Sequence, residues 1–150
     1  PQSVPFCSPI FGGLCEGKRI LIQGCVLVSA KRFSVNLVCA NRDIAFHFNP
    51  RFDEGNIIVC NTQEKGYWGP EERTSSMLFQ RGVSFEVIIN IRSCGGSKHE
   101  PVQHHHQGAA GGSNKSRHHL LMCLCVCVCV CVLFSFLRVL SHVTVVLSKL

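Results

Sequence analysis

The chain has 150 residues, enough for one domain with a buried core. Hydrophobic residues make up 46% and charged residues 16%, and the formal net charge is +6. Most of that charge lies beyond residue 93, and no basic stripe with interleaved aromatics is present, so the composition argues against a nucleic-acid partner.

Short alternating runs fill the first 93 residues. Lys18–Val28 puts Ile20 and Ile22 on one face. Phe33, Val35, Leu37 and Cys39 alternate with Ser34 and Asn36, and Ile44, Phe46 and Phe48 with Ala45, His47 and Asn49. Ile57–Thr62 is a further run, and Phe85, Val87, Ile89 and Ile91 alternate with Glu86 and Asn90. A period of two in Val, Ile and Phe predicts half-buried strands. Turn signals separate the runs: Gly12-Gly13, Gly17, Asn41–Asp43, Asp53–Asn56, Gly66 and Gly69-Pro70. With no helical stretch between them, the runs predict an all-β, antiparallel sandwich.

Residues 94–119 are rich in Gly and His, a composition that predicts a flexible linker with solvated histidines; metal binding by them is the weaker reading. The eleven cysteines form neither a disulfide framework nor a CxxC zinc pair. The first six, Cys7, Cys15, Cys25, Cys39, Cys60 and Cys94, read as reduced and mostly buried thiols, which places synthesis in the cytosol. The N-terminal stretch shows no charged segment leading into an apolar one, so no signal peptide is expected.

The chemistry concentrates in His47–Phe52, HFNPRF. On an extended strand His47, Asn49 and Arg51 share one face while Phe46 and Phe48 share the other. An imidazole, an amide and a guanidinium in a row offer both donors and acceptors, as the hydroxyls on a sugar edge require. Val59 and Asn61 are again two apart on one face. Trp68, the chain's single tryptophan, sits in turn country between Gly66 and Gly69-Pro70. An exposed indole there suits the C–H face of a galacto-configured sugar. Glu71 can accept from hydroxyls and orient Arg51 and Arg73 through charge-assisted pairs.

HFNPRF, VCNT, WGPEER, FQRG and FEVII, preceded by GGL, RFSVNL and DIAFHF, closely resemble galectins, particularly the tandem-repeat kind, over residues 4–92. The resemblance implies a jelly-roll-like sandwich of two antiparallel sheets and a β-galactoside lectin without cofactor or catalysis. It implies that His47, Asn49 and Arg51 bond the galactose 4-hydroxyl and that Asn61 and Glu71 bond the 6-hydroxyl. Trp68 would stack on the ring, and Arg51, Glu71 and Arg73 would reach the adjoining sugar. The implied partners are galactoside glycans on glycoproteins or glycolipids. The implied location is the cytoplasm, with secretion that needs no signal peptide.

After FEVIINIRS the resemblance stops, and the sequence reading leaves the sandwich incomplete, its final strands missing. The domain organisation expected is a partial carbohydrate-recognition domain at 4–92, a linker at 93–119 and an apolar Cys/Val-rich tail at 120–150. The tail's Cys-Val repetition is what an alternating T-G run in DNA encodes, and it reads as translated non-coding repeat. Two alternatives follow: a truncated product without sugar binding, or a lectin tethered to a membrane by the apolar residues 120–137. An enzyme is disfavoured, because the adjacent carboxylates Asp53-Glu54 and Glu71-Glu72 diverge on extended chain and no nucleophile, phosphate-loop or dinucleotide motif is present.

Overall fold

The computed structural model describes residues 4–93 and the backbone of 104–105, 120–128 and 143–149. All regular structure among the described residues is strand: β1 (Phe6–Ile10), β2 (Arg19–Cys25), β3 (Phe33–Cys39), β4 (Ile44–Arg51), β5 (Ile57–Glu64), β6 (Tyr67–Trp68), β7 (Glu72–Thr74), β8 (Ser84–Ser93), β9 (His104–His105), β10 (Leu120–Val128) and β11 (Val143–Lys149). The all-β class expected from the period of two is the class observed, and each run read from the sequence forms a strand. The turn signals fall between strands. The strands sort into two compact units, one holding β1, β3 to β7 and β11, the other β2, β8, β9 and β10.

The first unit is a seven-stranded antiparallel sheet ordered β1-β11-β3-β4-β5-β6, with β7 also pairing β5. Val35 lies opposite Phe48 and Phe48 opposite Cys60, so these side chains share a face with Leu37, Phe46 and Ile58, and all six are buried. Truncating one of the large members, such as Phe48, costs about 3–5 kcal/mol in a close-packed core. On the opposite face two rows run across the strands. Asn36, His47 and Asn61 form one; Asn49, Val59 and Arg73 form the other. Alternation therefore sends the apolar residues one way and the functional ones the other.

β4 carries Pro50, which has no N–H to contribute to a ladder. The Asn49 side-chain amide donates instead to the Phe33 carbonyl on β3 at 2.7 Å, and the chain beyond is held where the Phe52 N–H donates to the Lys31 carbonyl.

In the second unit β2 and β8 pair antiparallel, from Arg19 opposite Asn90 to Cys25 opposite Ser84. Ile22, Phe85, Val87, Ile89 and Ile91 are buried. β10 runs parallel to β8, and β9 pairs β10 antiparallel.

Here the structure differs from the sequence expectation, which has no strand after Ser93. β11 lies between β1 and β3, and β10 lies along β8, so two stretches of the tail extend the sheets. The physical reason is local: Val143–Leu147 and the Leu, Cys and Val of 120–128 are dense in residues that suit a pleated ladder, and β3 and β8 would otherwise present unpaired backbone. The proposed tether at 120–137 is strand as far as Val128; 129–137 lie outside the described residues. So do 94–103 and 106–119 of the linker, with four of its six histidines.

Candidate carbohydrate-binding site

His47, Asn49 and Arg51 leave β4 on one face, but they are less open to solvent than an outer sheet face would be. Asn49 is only 1% exposed, and His47 and Asn61 are also buried. Every one of these groups is fixed by a partner. The Nδ2 of Asn36 donates to Ser34 Oγ at 3.3 Å, which orients the amide and turns Oδ1 toward His47 Nδ1, 2.5 Å away. An amide oxygen only accepts, so Nδ1 carries the ring proton and Nε2 presents a lone pair. Burial, and then the nearby Arg51 charge, push the His47 pKa below its usual value, which keeps the ring neutral.

Asn49 is held at both ends, donating to Phe33 and accepting from Arg51 Nε at 2.7 Å. Arg51 also donates through Nη1 to Glu54 at 2.8 Å and through Nη2 to Glu71 at 2.9 Å. Three of its five N–H groups are thereby engaged, and the remaining two are left to donate to a ligand. Arg73, opposite Val59 on β7, donates through Nε to Glu71 at 2.7 Å and through Nη1 to Glu54 at 2.9 Å. The two arginines and two glutamates therefore close a ring of charge-assisted bonds. Arg73 and then Arg51 hold the Glu71 carboxyl below the ordinary carboxylate range; Arg51, followed by Arg73, does the same for Glu54. Val59, fully buried, fills the sheet between the ring and Asn49.

Asn61, opposite His47, donates to the Gly69 carbonyl at 3.0 Å and accepts from the Thr62 N–H at 2.8 Å. Gly69 follows Trp68. The Trp68 ring lies 4.9 Å from the His47 ring, centroid to centroid, tilted by 59°, and remains 49% exposed. An indole standing beside a row of fixed donors and acceptors gives an apolar wall and a polar edge at one place.

All eight residues singled out in the sequence thus gather on one face of the first unit. Sequence reasoning missed two contributors. Glu54 was read only as half of an adjacent carboxylate pair, although its place three residues after Arg51 in a Gly55-Asn56 turn, with φ of 73° and 55°, returns it to the arginines. Asn36 was read only as a polar member of an alternating strand, although that alternation puts it on the His47 face. The cysteine expectation needs correction. Cys39 and Cys60 are buried free thiols, but Cys7, Cys15 and Cys25 are exposed ones, because they occupy outward positions of β1 and β2 or a turn.

A model of the galactoside-binding lectin family matches residues 5–95. Human galectin-4 is 46% identical over 92 residues, covering 59% of this chain and 28% of that protein. The 32 kDa beta-galactoside-binding lectin of Caenorhabditis elegans is 48% identical over 86 residues, covering 57% of this chain and 30% of that one. The crystal structure of Xenopus laevis galectin-Ib matches with a TM-score of 0.50 and 31% identity, over 58% of this chain and 69% of its own. The chain spans less than two fifths of the length of these curated relatives. With the family model covering more than half of its residues, the chain belongs to the galactoside-binding lectin family.

Proposed function

We propose that this chain binds the terminal galactose of β-galactoside glycans, on glycoproteins or glycolipids, and performs no catalysis. The observation that carries the reading is the Trp68 ring set 4.9 Å from His47, beside Asn49 and Arg51 on one sheet face. A galactose laid with its C–H face on the indole directs its axial 4-hydroxyl away from the ring toward the strand. The His47 Nε2 lone pair would accept from that hydroxyl, while Asn49 and Arg51 would donate to it. Asn61 and Glu71 would take the 6-hydroxyl, and Arg51, Glu71 and Arg73 the adjoining sugar. The carbohydrate-recognition domain would span residues 4–92, and the free thiols favour a reducing compartment such as the cytoplasm.

A glucose-terminated sugar has an equatorial 4-hydroxyl. It strands the polar groups on β4, at about 1–3 kcal/mol for each group left unsatisfied. Lactose should therefore shift the emission of Trp68, the chain's sole tryptophan, and maltose should not. A cooperatively folded chain whose Trp68 ignores lactose would sink the proposal.

A further inference from the structure

Trp68 sits on the two-residue edge strand β6, held to β5 by the pairs Gln63–Trp68 and Glu64–Tyr67. The connection is the two-residue turn Lys65-Gly66. Both residues have positive φ, 51° and 84°, the pattern of a tight hairpin turn. Such turns favour Asn or Asp followed by Gly, because a side chain other than these is disfavoured in the left-handed region. Lys65 is a poor occupant of its position, so the turn that aims Trp68 is not specified by its own two residues.

Something outside the hairpin specifies it. The Oδ1 of Asp43 accepts the Lys65 backbone N–H at 2.7 Å. Asp43 lies just before β4 and is 5% exposed. It is itself fixed: Oδ2 accepts from Asn41 Nδ2 at 2.6 Å, its own N–H donates to Asn41 Oδ1, and its carbonyl accepts the Cys39 N–H. The β3–β4 turn is thus a rigid post, and Asp43 ties the tip of the Trp68 hairpin to it. On the far side of Trp68, Gly69 is held by Thr62 and Asn61. Trp68 is therefore bracketed between two anchors, one at Lys65 and one at Gly69.

We infer that Asp43 is a positioning residue for sugar recognition: it touches no ligand, and acts by fixing the turn that sets the Trp68 ring beside His47. The inference rests on the galactoside reading for its affinity consequence, but not for its effect on the ring.

Two variants of the full chain test it, Asp43→Ala and Asp43→Ala with Lys65→Asn. Asn tolerates left-handed φ, and Asn-Gly specifies the turn locally. Without sugar, Asp43→Ala should make Trp68 more accessible to acrylamide quenching. With lactose it should weaken binding roughly three- to tenfold, the effect of misplacing one stacking ring. The double variant should return both readings to those of the parent, although it restores none of Asp43's own bonds. A merely structural Asp43 would lower the melting temperature and leave quenching and affinity unchanged below it; that result overturns the inference. So does a double variant as exposed as the single one. If Asp43→Ala alone does not fold, the double variant decides: folded with parental quenching supports the inference, and unfolded overturns it. A parent chain blind to lactose would end the galactoside reading and still leave the quenching comparison to judge Asp43.

Discussion

Arg51 and Arg73 hold the same two carboxylates: Glu54 gives one oxygen to each, and Glu71 does likewise. β4 and β7 are not neighbours in the sheet, so this ring joins across β5 what the ladder does not. Arg51 is also the only ring member bonded to Asn49. Arg51→Ala should accordingly cost more lactose affinity than Trp68→Ala. The first opens the ring, leaving Glu71 and Glu54 to Arg73 alone, and takes the donor from the buried Asn49 Oδ1, at about 1–3 kcal/mol for that unsatisfied group, besides removing the donors that would face the sugar; the second removes stacking of about 1 kcal/mol beyond area. Titration calorimetry of both variants decides the order, and equal binding by Arg51→Ala would refute the site.

Glu54→Gln should fall between these limits. The amide keeps one acceptor but loses its charge, so Arg51 and Arg73 keep Glu71 as their sole anionic partner. Global stability should hardly change, because exposed ion pairs contribute little. Lactose affinity should drop by several-fold, the size of one weakened charge-assisted contact. A variant with a lowered melting temperature but unchanged lactose affinity would show the ring to be scaffolding.

His47 sets a pH window. Its folded-state pKa is below the usual 6.5, first through burial and then through Arg51, with the Asn49 side chain and then the Glu71 charge pulling the other way. The unfolded chain therefore binds the proton more readily. The stabilising contribution is complete above pH 6.5 and is lost as pH falls toward the folded-state value. Binding should follow the same direction, because a protonated Nε2 can no longer accept from a hydroxyl. Lactose affinity should be level from neutral upward and decline below pH 6.5. His47→Gln, which cannot titrate, should flatten the profile whatever its absolute affinity. Glu54 and Glu71 add a second loss at lower pH, since both are depressed from 4.5.

How much of this was legible in the sequence depends on the range of the signal. The strand assignments came from alternation, which is local, and so did the common face of His47, Asn49 and Arg51. The link between Glu54 and Arg73 is not local: it needs the Gly55-Asn56 turn and the β5–β7 register, neither of which a period reveals. Asp43 escaped for the same reason, since its partner Lys65 lies two strands on. The tail strands were missed on different grounds. Nothing in Val143–Lys149 marks it as the neighbour of β1 and β3, because pairing between remote strands is set by which edges are vacant.

The thiols should divide into two classes. Burial, followed by the charge of Glu72, raises the Cys60 pKa to about 12, and burial raises that of Cys39. Both are inert as nucleophiles at neutral pH. Cys7, Cys15 and Cys25 are exposed. Brief treatment of the native chain with iodoacetamide, followed by peptide mass mapping, should find label on the exposed three and none on Cys39 or Cys60. Denaturation before labelling should bring those two in. Early label on Cys60 would mean that β5 is not packed as described.

Gly24 gives a test of the second unit that is independent of sugar. It lies opposite Phe85 in the β2–β8 ladder, and the ring covers it: a Cβ added to Gly24 would come within 2.8 Å of Phe85 Cζ. The ring has little freedom to withdraw, since its other side meets Phe79 edge to face at 5.2 Å. Gly24→Ala should therefore cost about 1–3 kcal/mol, the usual penalty for overpacking a filled core. Phe85→Leu should also destabilise, by removing ring contacts. Because both changes act on one contact, the double variant should be less destabilised than the sum of the singles. Urea unfolding of the four chains measures the coupling. Strict additivity would show that Phe85 does not lie over Gly24, and would remove the reason for a glycine in the middle of β2.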